Sequence, residues 1–140
     1  WVGSITFDAS PTYSDGSSLN WFFDPTPADA SDVATAGAGK EDLLSVAIHE
    51  IGHVLGVVGG GSVSAFSRWC SGSYFVGPSA VAANEGRSVL LIDGTHPDGY
   101  RGGFSQEVAM AYGGYTTVGH RVTPSSIDLG LLSDIGYTIR

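Results

Sequence analysis

The first part of the chain alternates between apolar and polar positions, which is typical of strands. Ile5 and Phe7 alternate with polar neighbours, so residues 3–8 are predicted to form a strand. A second strand is predicted over 19–23, whose sequence is LNWFF. Residues 24–39 are rich in Pro, Ala and Asp and predict a loop between this strand and the next element.

A helical period replaces the alternation at residues 40–55. Glu41 and Asp42 are expected in the first turn, where negative charge is favourable, and Gly56 is suited to end the helix in a left-handed conformation. The apolar positions cover a broad surface, so the helix is predicted to be mostly buried, with its histidines facing a cleft. These apolar positions are Leu43, Leu44, Ala47, Ile48, Ile51, Val54 and Leu55.

The rest of the chain is predicted to hold two further helices and one strand between irregular, Gly-rich segments. The elements are a short helix at 78–84, a strand at 88–93 and a last helix that opens at 123–126 and ends at Gly136. Ser125 and Asp128 resemble a capping box at the start of that helix. The chain is therefore predicted to be a single α+β domain spanning residues 1–140.

The charge and the distribution of apolar residues argue against two classes of partner, nucleic acid and membrane. The formal net charge is −8 and no cluster of Lys or Arg is present, which argues against nucleic acid as a partner. The apolar runs are too short for a membrane span, so we expect none. The acidic balance suits an extracellular or periplasmic protein. Cys70 is the only cysteine, so no disulfide can form within this chain.

The predicted central helix carries the sequence His49-Glu50-Ile51-Gly52-His53, which has the form HExxH. Residues four apart lie on one face of a helix, so His49 and His53 can direct two imidazole nitrogens to one metal ion. Zinc suits two neutral imidazoles and an open coordination position, and Glu50 is placed to hold a water on that metal.

A catalytic zinc site needs a third protein ligand, and the residues alone leave several candidates open. His96 and His120 are the remaining histidines, and Glu85, Asp93 and Asp98 are nearby carboxylates. A glutamate is the third ligand in thermolysin-like enzymes, but Asn84-Glu85-Gly86 interrupts a helix. Calcium is a weaker prediction, since the spacing of three loop carboxylates fits no defined calcium loop. Those carboxylates are Asp24, Asp29 and Asp32.

The extended motif, HExxHxxG ending at Gly56, resembles that of metzincin metallopeptidases. In most metzincins the third histidine follows three residues after this glycine, where this chain has Gly59. Leishmanolysin-like members insert a long segment instead, and here the 42 residues 54–95 separate His53 from His96. The resemblance therefore implies that His96 is the third ligand.

The resemblance extends to the segment after His96. Met110 follows it by 14 residues and resembles the methionine of the Met-turn, whereas His120 comes after the methionine and fits that order poorly. Tyr112 matches the tyrosine of astacin-like and serralysin-like members, which implies that it ligates zinc or stabilises the oxyanion. The last helix resembles that of secreted bacterial metzincins.

The resemblance implies a metzincin-like catalytic domain, with a small twisted sheet over the active-site helix and an irregular C-terminal half. Its implied function is a secreted or extracellular zinc endopeptidase that hydrolyses protein or peptide substrates, with Glu50 as general base. Substrate is expected to lie along an edge strand near residues 4–8. Only 48 residues precede His49, so we expect the N-terminal part of the domain to be short or trimmed.

Three other classes are weighed against this function. A peptide deformylase would need a cysteine ligand before the helix, and none precedes His49. A structural zinc or adhesion module would need four protein ligands and no glutamate beside the metal. A catalytically impaired module that binds zinc or peptides without cutting them remains an open alternative.

Overall fold

The computed structural model describes residues 3–10, 12, 16–59, 64–112 and 117–140, and the statements below refer to these residues. The fold is α+β, as predicted, with three helices and two small sheets of two-residue strands. In chain order the elements are β1 (Trp21–Phe22), β2 (Glu41–Asp42), α1 (Leu43–Val54), β3 (Cys70–Ser71), β4 (Tyr74–Phe75), α2 (Pro78–Ala83), β5 (Val89–Leu90) and α3 (Ser126–Asp134). The longest of these helices, α1, has 12 residues, and none is long and apolar enough to cross a membrane.

The strands form two separate sheets instead of one sheet over the helix. β1 pairs in parallel with β2, with Trp21 opposite Glu41. β3, β4 and β5 form an antiparallel sheet in that order. The predicted strands at 19–23 and 88–93 are thus confirmed in their central residues. The irregular, Gly-rich segment predicted after α1 includes a 3₁₀ turn and β3. Residues 60–63 and 113–116 lie outside the described residues.

The strand predicted at residues 3–8 is wrong: these residues form no strand ladder. An alternating pattern becomes a strand only where a partner strand supplies hydrogen bonds, and β1 pairs with β2 instead. Gly3 lies against the side chain of Val54, so the segment still passes over α1.

The helix predicted at 40–55 is confirmed over 43–54, but its start is corrected. Glu41 and Asp42 belong to β2, and Asp42 is the N-cap, where its carboxylate accepts from the Ser45 amide at 3.2 Å. Arg121 holds the same carboxylate with a 2.7 Å ion pair. Burial opposes ionisation of Asp42, but the hydrogen bonds from Arg121 and Ser45 lower its pKa. Because this charged N-cap is held by both Ser45 and Arg121, the helix begins at Leu43.

The prediction that α1 is mostly buried is also wrong. Only Ser45 and Gly52 are buried along this helix, and Ile51 is 46% exposed. The main core is formed instead by residues 57–131, which follow α1 in the chain, and it includes the contact between α2 and α3. Its buried members are Val57, Phe66, Phe75, Ala80, Val89, Leu91, Val108, Met110, Ile127 and Leu131.

The last two helices form as predicted. α2 begins with Pro78, whose fixed φ suits the first turn. α3 has the predicted capping box, in which Ser125 accepts from the Asp128 amide and Asp128 accepts from the Ser125 amide. Ile127 and Leu131 are fully buried against the core, so this helix is held firmly in place.

Candidate metal centre

Three histidine side chains converge beside α1. The Nε2 atoms of His49 and His53 lie 3.1 Å apart, and those of His53 and His96 lie 3.0 Å apart. Three ring nitrogens bound to one tetrahedral zinc at about 2.0–2.1 Å would lie roughly 3.3 Å from one another. Among the described residues, these histidines are the one group of three side chains able to hold a metal ion together.

The other ring nitrogen of each histidine fixes which nitrogen faces the centre. His49 Nδ1 lies 2.8 Å from the Ala109 carbonyl and His53 Nδ1 lies 2.8 Å from the Val57 carbonyl. A carbonyl only accepts, so both Nδ1 atoms carry a proton, and in the neutral tautomer this leaves the lone pair on Nε2. Burial lowers the pKa of His49, which favours its neutral form. Lone pairs that face one another are stabilised by a cation between them.

His96 is held in the same orientation by a carboxylate. Its Nδ1 donates to Asp93 Oδ2 at 2.6 Å, while Asp93 Oδ1 accepts from the backbone amides of Thr95 and His96. Burial opposes ionisation of Asp93, but these hydrogen bonds from His96 and Thr95 lower its pKa to about 2. A carboxylate hydrogen-bonded to a histidine fixes the tautomer and makes the other nitrogen a better ligand.

Replacing Asp93 by asparagine is expected to weaken zinc affinity by about 10–100-fold, because His96 loses a charged acceptor on Nδ1. Competition with a chelating dye measures this affinity. Asp29→Asn is the matched control, since Asp29 also accepts from the backbone amide two residues later in the chain and does not belong to the group of histidines found among the described residues. Equal zinc affinity in Asp93→Asn and the unchanged chain would show that this carboxylate does not support the ligand.

A tight turn after His96 supports the other side of the centre. The Ala111 amide donates to the Val108 carbonyl at 3.0 Å, which closes a turn with Met110 inside it. Asp128 of α3 accepts from the amides of Ala109 and Met110, each at 2.9 Å. The carbonyl of Ala109 in turn accepts from His49. The capped end of α3 thereby holds the turn, and the turn holds a candidate ligand.

Met110 is buried against α1. Its sulfur packs against Gly52, which stands between His49 and His53 in the sequence, and a Cβ at Gly52 would overlap that sulfur. The helix therefore needs glycine at this position to lie on the turn.

Gly59 has a comparable role beside the third histidine. The Gly59 amide donates to Thr95 Oγ1 at 2.8 Å, and a Cβ at Gly59 would overlap the Gly94 carbonyl. The chain just after α1 thus makes backbone contact with the loop that carries His96. Most metzincins have their third histidine at this position, whereas this chain has Gly59, which allows the contact with the His96 loop.

Comparisons with protein-family models, curated proteins and solved structures find no match for this chain.

Glu50 lines a cleft next to the three histidines. The cleft has a volume of about 500 Å³ and lies between residues 3–8 and α1, with Glu50 and His53 in its wall. Tyr112 lies at the edge of the site, with its ring centre 5.8 Å from that of His96, and it is 58% exposed. Both side chains therefore border open space near the histidines.

The structure does not bring the alternative ligands to this centre. Glu85 is exposed and pairs with Arg87 at 3.2 Å, and His120 bonds to Glu107 at 2.8 Å. Asp98 is buried and bonds to Arg101 at 2.7 Å. Of the carboxylates considered for calcium, Asp24 pairs with Arg121 at 2.6 Å, and Asp24, Asp29 and Asp32 do not converge.

The roles of two supporting residues, Asp93 and Asp128, are not evident from the sequence. The sequence makes Asp93 a candidate ligand, whereas in the structure its carboxylate orients His96. Asp128 was predicted only as a helix cap, yet it also anchors the turn around Met110. The three-residue spacing from Asp93 to His96 is a signal for the first role. The contact from Asp128 to Ala109 spans 19 residues and has no local signal.

Proposed function

We propose that this chain is a zinc-dependent endopeptidase. The observation that carries the proposal is the convergence of three histidine Nε2 atoms beside a cleft lined by Glu50. Three neutral imidazoles and an open side match the donor set of catalytic zinc sites, whereas closed structural sites take four protein ligands. His49, His53 and His96 would hold the metal.

When bound, zinc supplies a Lewis acid that polarises the scissile carbonyl and acidifies a water molecule. The Glu50 carboxylate accepts a proton from the attacking water and delivers it to the nitrogen of the leaving amine. The Tyr112 hydroxyl donates a hydrogen bond to the oxygen that becomes negative as the carbonyl is attacked. Asp93 and the Ala109 carbonyl keep two of the imidazoles in the orientation that this chemistry needs.

The substrate is proposed to be an extended segment of a protein outside the cell. Residues 3–8 form one wall of the Glu50 cleft and pair with no other strand among the described residues. Backbone that pairs with no strand can exchange hydrogen bonds with a peptide laid beside it. This arrangement would place a peptide bond next to Glu50 and His53.

Turnover of a denatured protein substrate tests the proposal. The full chain with one equivalent of zinc is expected to cleave it, to lose activity with a chelator and to regain activity when zinc is restored. Cleavage is followed by the appearance of new amino termini. A sample with fully bound zinc that releases no new termini would contradict the proposal and would favour the alternative, a module that binds zinc or peptides without cutting them.

A further inference from the structure

Helix α1 is set apart from the main core. Within the part of the chain that the structure describes, no residue of α1 belongs to that core or to the partly buried apolar side chains packed against it. An apolar cavity of about 160 Å³ lies between α1 and the turn around Met110, and Ile51 on its edge is 46% exposed. Because local opening is resisted mainly by buried apolar contacts, α1 is expected to open more easily than α2 or α3.

The first turn of α1 is better anchored than its central turns. At the first turn, Asp42 pairs with Arg121 at 2.7 Å, and Ser45 Oγ accepts from the Val122 amide at 2.8 Å. The central turns carry His49, His53 and Glu50. They are joined to the core side by the contact between Gly52 and the Met110 sulfur and by one hydrogen bond, from His49 to the Ala109 carbonyl. The part of the helix that carries the site chemistry is therefore the part that is less firmly held.

The third histidine, in contrast, is carried by the core. The backbone of Leu91 pairs with that of Pro97, and both side chains are buried. The Asp98 amide donates to the Leu90 carbonyl at 2.8 Å, which fastens the far side of the same loop. His96 stands between these two attachments. The candidate ligands thus come from two bodies, a loosely packed helix and a loop fixed to the core.

The geometry of the three imidazoles makes the junction between these bodies sensitive to a cation. The Nε2 atoms of His49 and His53 lie 3.1 Å apart, and those of His53 and His96 lie 3.0 Å apart. In the neutral tautomer each of these atoms presents a lone pair, and lone pairs at this distance repel one another. A divalent cation reverses the sign of the interaction, because all three lone pairs then point at one positive charge. The same arrangement therefore opposes closure of the helix without a metal and favours it with one.

We propose that metal occupancy of the three-histidine centre controls whether the central turns of α1 are closed on the core. Bound zinc would join the helix to the His96 loop, and in the zinc-free chain the central turns would open without unfolding of the core. Glu50 and one wall of its cleft belong to these turns, so the cleft would be complete only in the metal-bound chain. The inference rests on the metal centre and goes beyond the proposed hydrolysis.

Amide hydrogen exchange of the full chain, measured at free zinc concentrations set by a chelator buffer, tests the inference. In the zinc-free chain, the amides of residues 50–54 are expected to be at least about tenfold less protected than those of residues 131–134 in α3. Above the dissociation constant, each tenfold rise in free zinc is expected to raise the protection of residues 50–54 by about tenfold, because opening of the turns releases the metal.

His96→Ala is expected to show no such rise at the zinc concentrations that load the unchanged chain, because the ligand on the core side is missing. His120→Ala is the control, since His120 bonds to Glu107, and it should behave as the unchanged chain. Equal protection of the two helices in the zinc-free chain would overturn the inference. Protection of α1 that does not change with free zinc, in a chain that binds the metal, would overturn it as well.

The endopeptidase function is tested separately from this inference. A zinc-loaded chain that cleaves protein while α1 shows no dependence on zinc would overturn the inference alone. Zinc-dependent protection of α1 without cleavage would support the inference and contradict only the endopeptidase function. A chain that binds no zinc would overturn both.

Discussion

Replacing Glu50 by glutamine is expected to lower kcat/KM by about 10³-fold while zinc stays bound, since general acid–base groups contribute roughly 10²–10⁴-fold. Glutamine keeps the size and shape of the side chain but cannot accept the proton of the attacking water. Glu50 lines the cleft beside His53 and the three Nε2 atoms come from other residues, so the substitution leaves the proposed metal ligands unchanged. Peptide hydrolysis and a zinc competition titration are measured on the same sample.

Glu85→Gln is the matched control for this substitution, because it removes an equal charge from an exposed position away from the histidines. It should keep both activity and zinc affinity. Hydrolysis by Glu50→Gln at the rate of the unchanged chain would show that another group moves the proton. Loss of zinc from Glu50→Gln would mean instead that Glu50 supports metal binding and that its catalytic role is unproven.

The second large effect is expected from His96→Ala. Apparent zinc affinities near 10–16 kcal/mol, shared among three or four ligands, give about 3–4 kcal/mol per ligand. Removing one imidazole should therefore weaken zinc binding by about 10²–10³-fold, at about 1.4 kcal/mol per tenfold. Zinc content after dialysis and titration against a chelating dye measure the loss.

His120→Ala should keep its zinc, because His120 bonds to Glu107 and lies outside the group of three histidines. The pair of variants distinguishes the two histidines that follow the helix motif. Full zinc occupancy in His96→Ala would place the third ligand elsewhere and would contradict the geometry of the centre. If His120→Ala loses zinc and His96→Ala keeps it, the third ligand is likewise not His96.

The parts of the fold that could be predicted from sequence are those set by neighbouring residues. The helix that carries His49 and His53 follows from its period, its end from Gly56, and the start of α3 from Ser125 and Asp128. Each depends on contacts within one or two turns of the chain. The two histidines four residues apart on α1 follow from the same local geometry.

The parts that could not be predicted depend on partners distant in sequence. Residues 3–8 have the alternation of a strand, but whether a strand forms is decided by the element beside it. The start of α1 depends on Arg121, which lies 79 residues from Asp42. The apolar period of α1 predicts which face of the helix packs against the protein. It does not determine how much of that face the rest of the described chain buries.

The position of the third histidine has an energetic consequence for how the centre is assembled. Bringing two points of a chain together costs conformational entropy that grows only as the logarithm of the segment between them, about 0.6 kcal/mol per doubling. Here 42 residues separate His53 from His96, whereas a third histidine at position 59 would leave only the five residues 54–58 between the ligands. The longer segment corresponds to about three doublings in length, so its closure costs roughly 2 kcal/mol more. The segment also folds on itself, since β3, β4, α2 and β5 lie within it, and Gly59 fastens its start to the loop that carries His96. The folded segment between His53 and His96 can therefore vary in length with little change in the entropy cost of bringing the two histidines together. The three imidazoles keep one geometry as it does so.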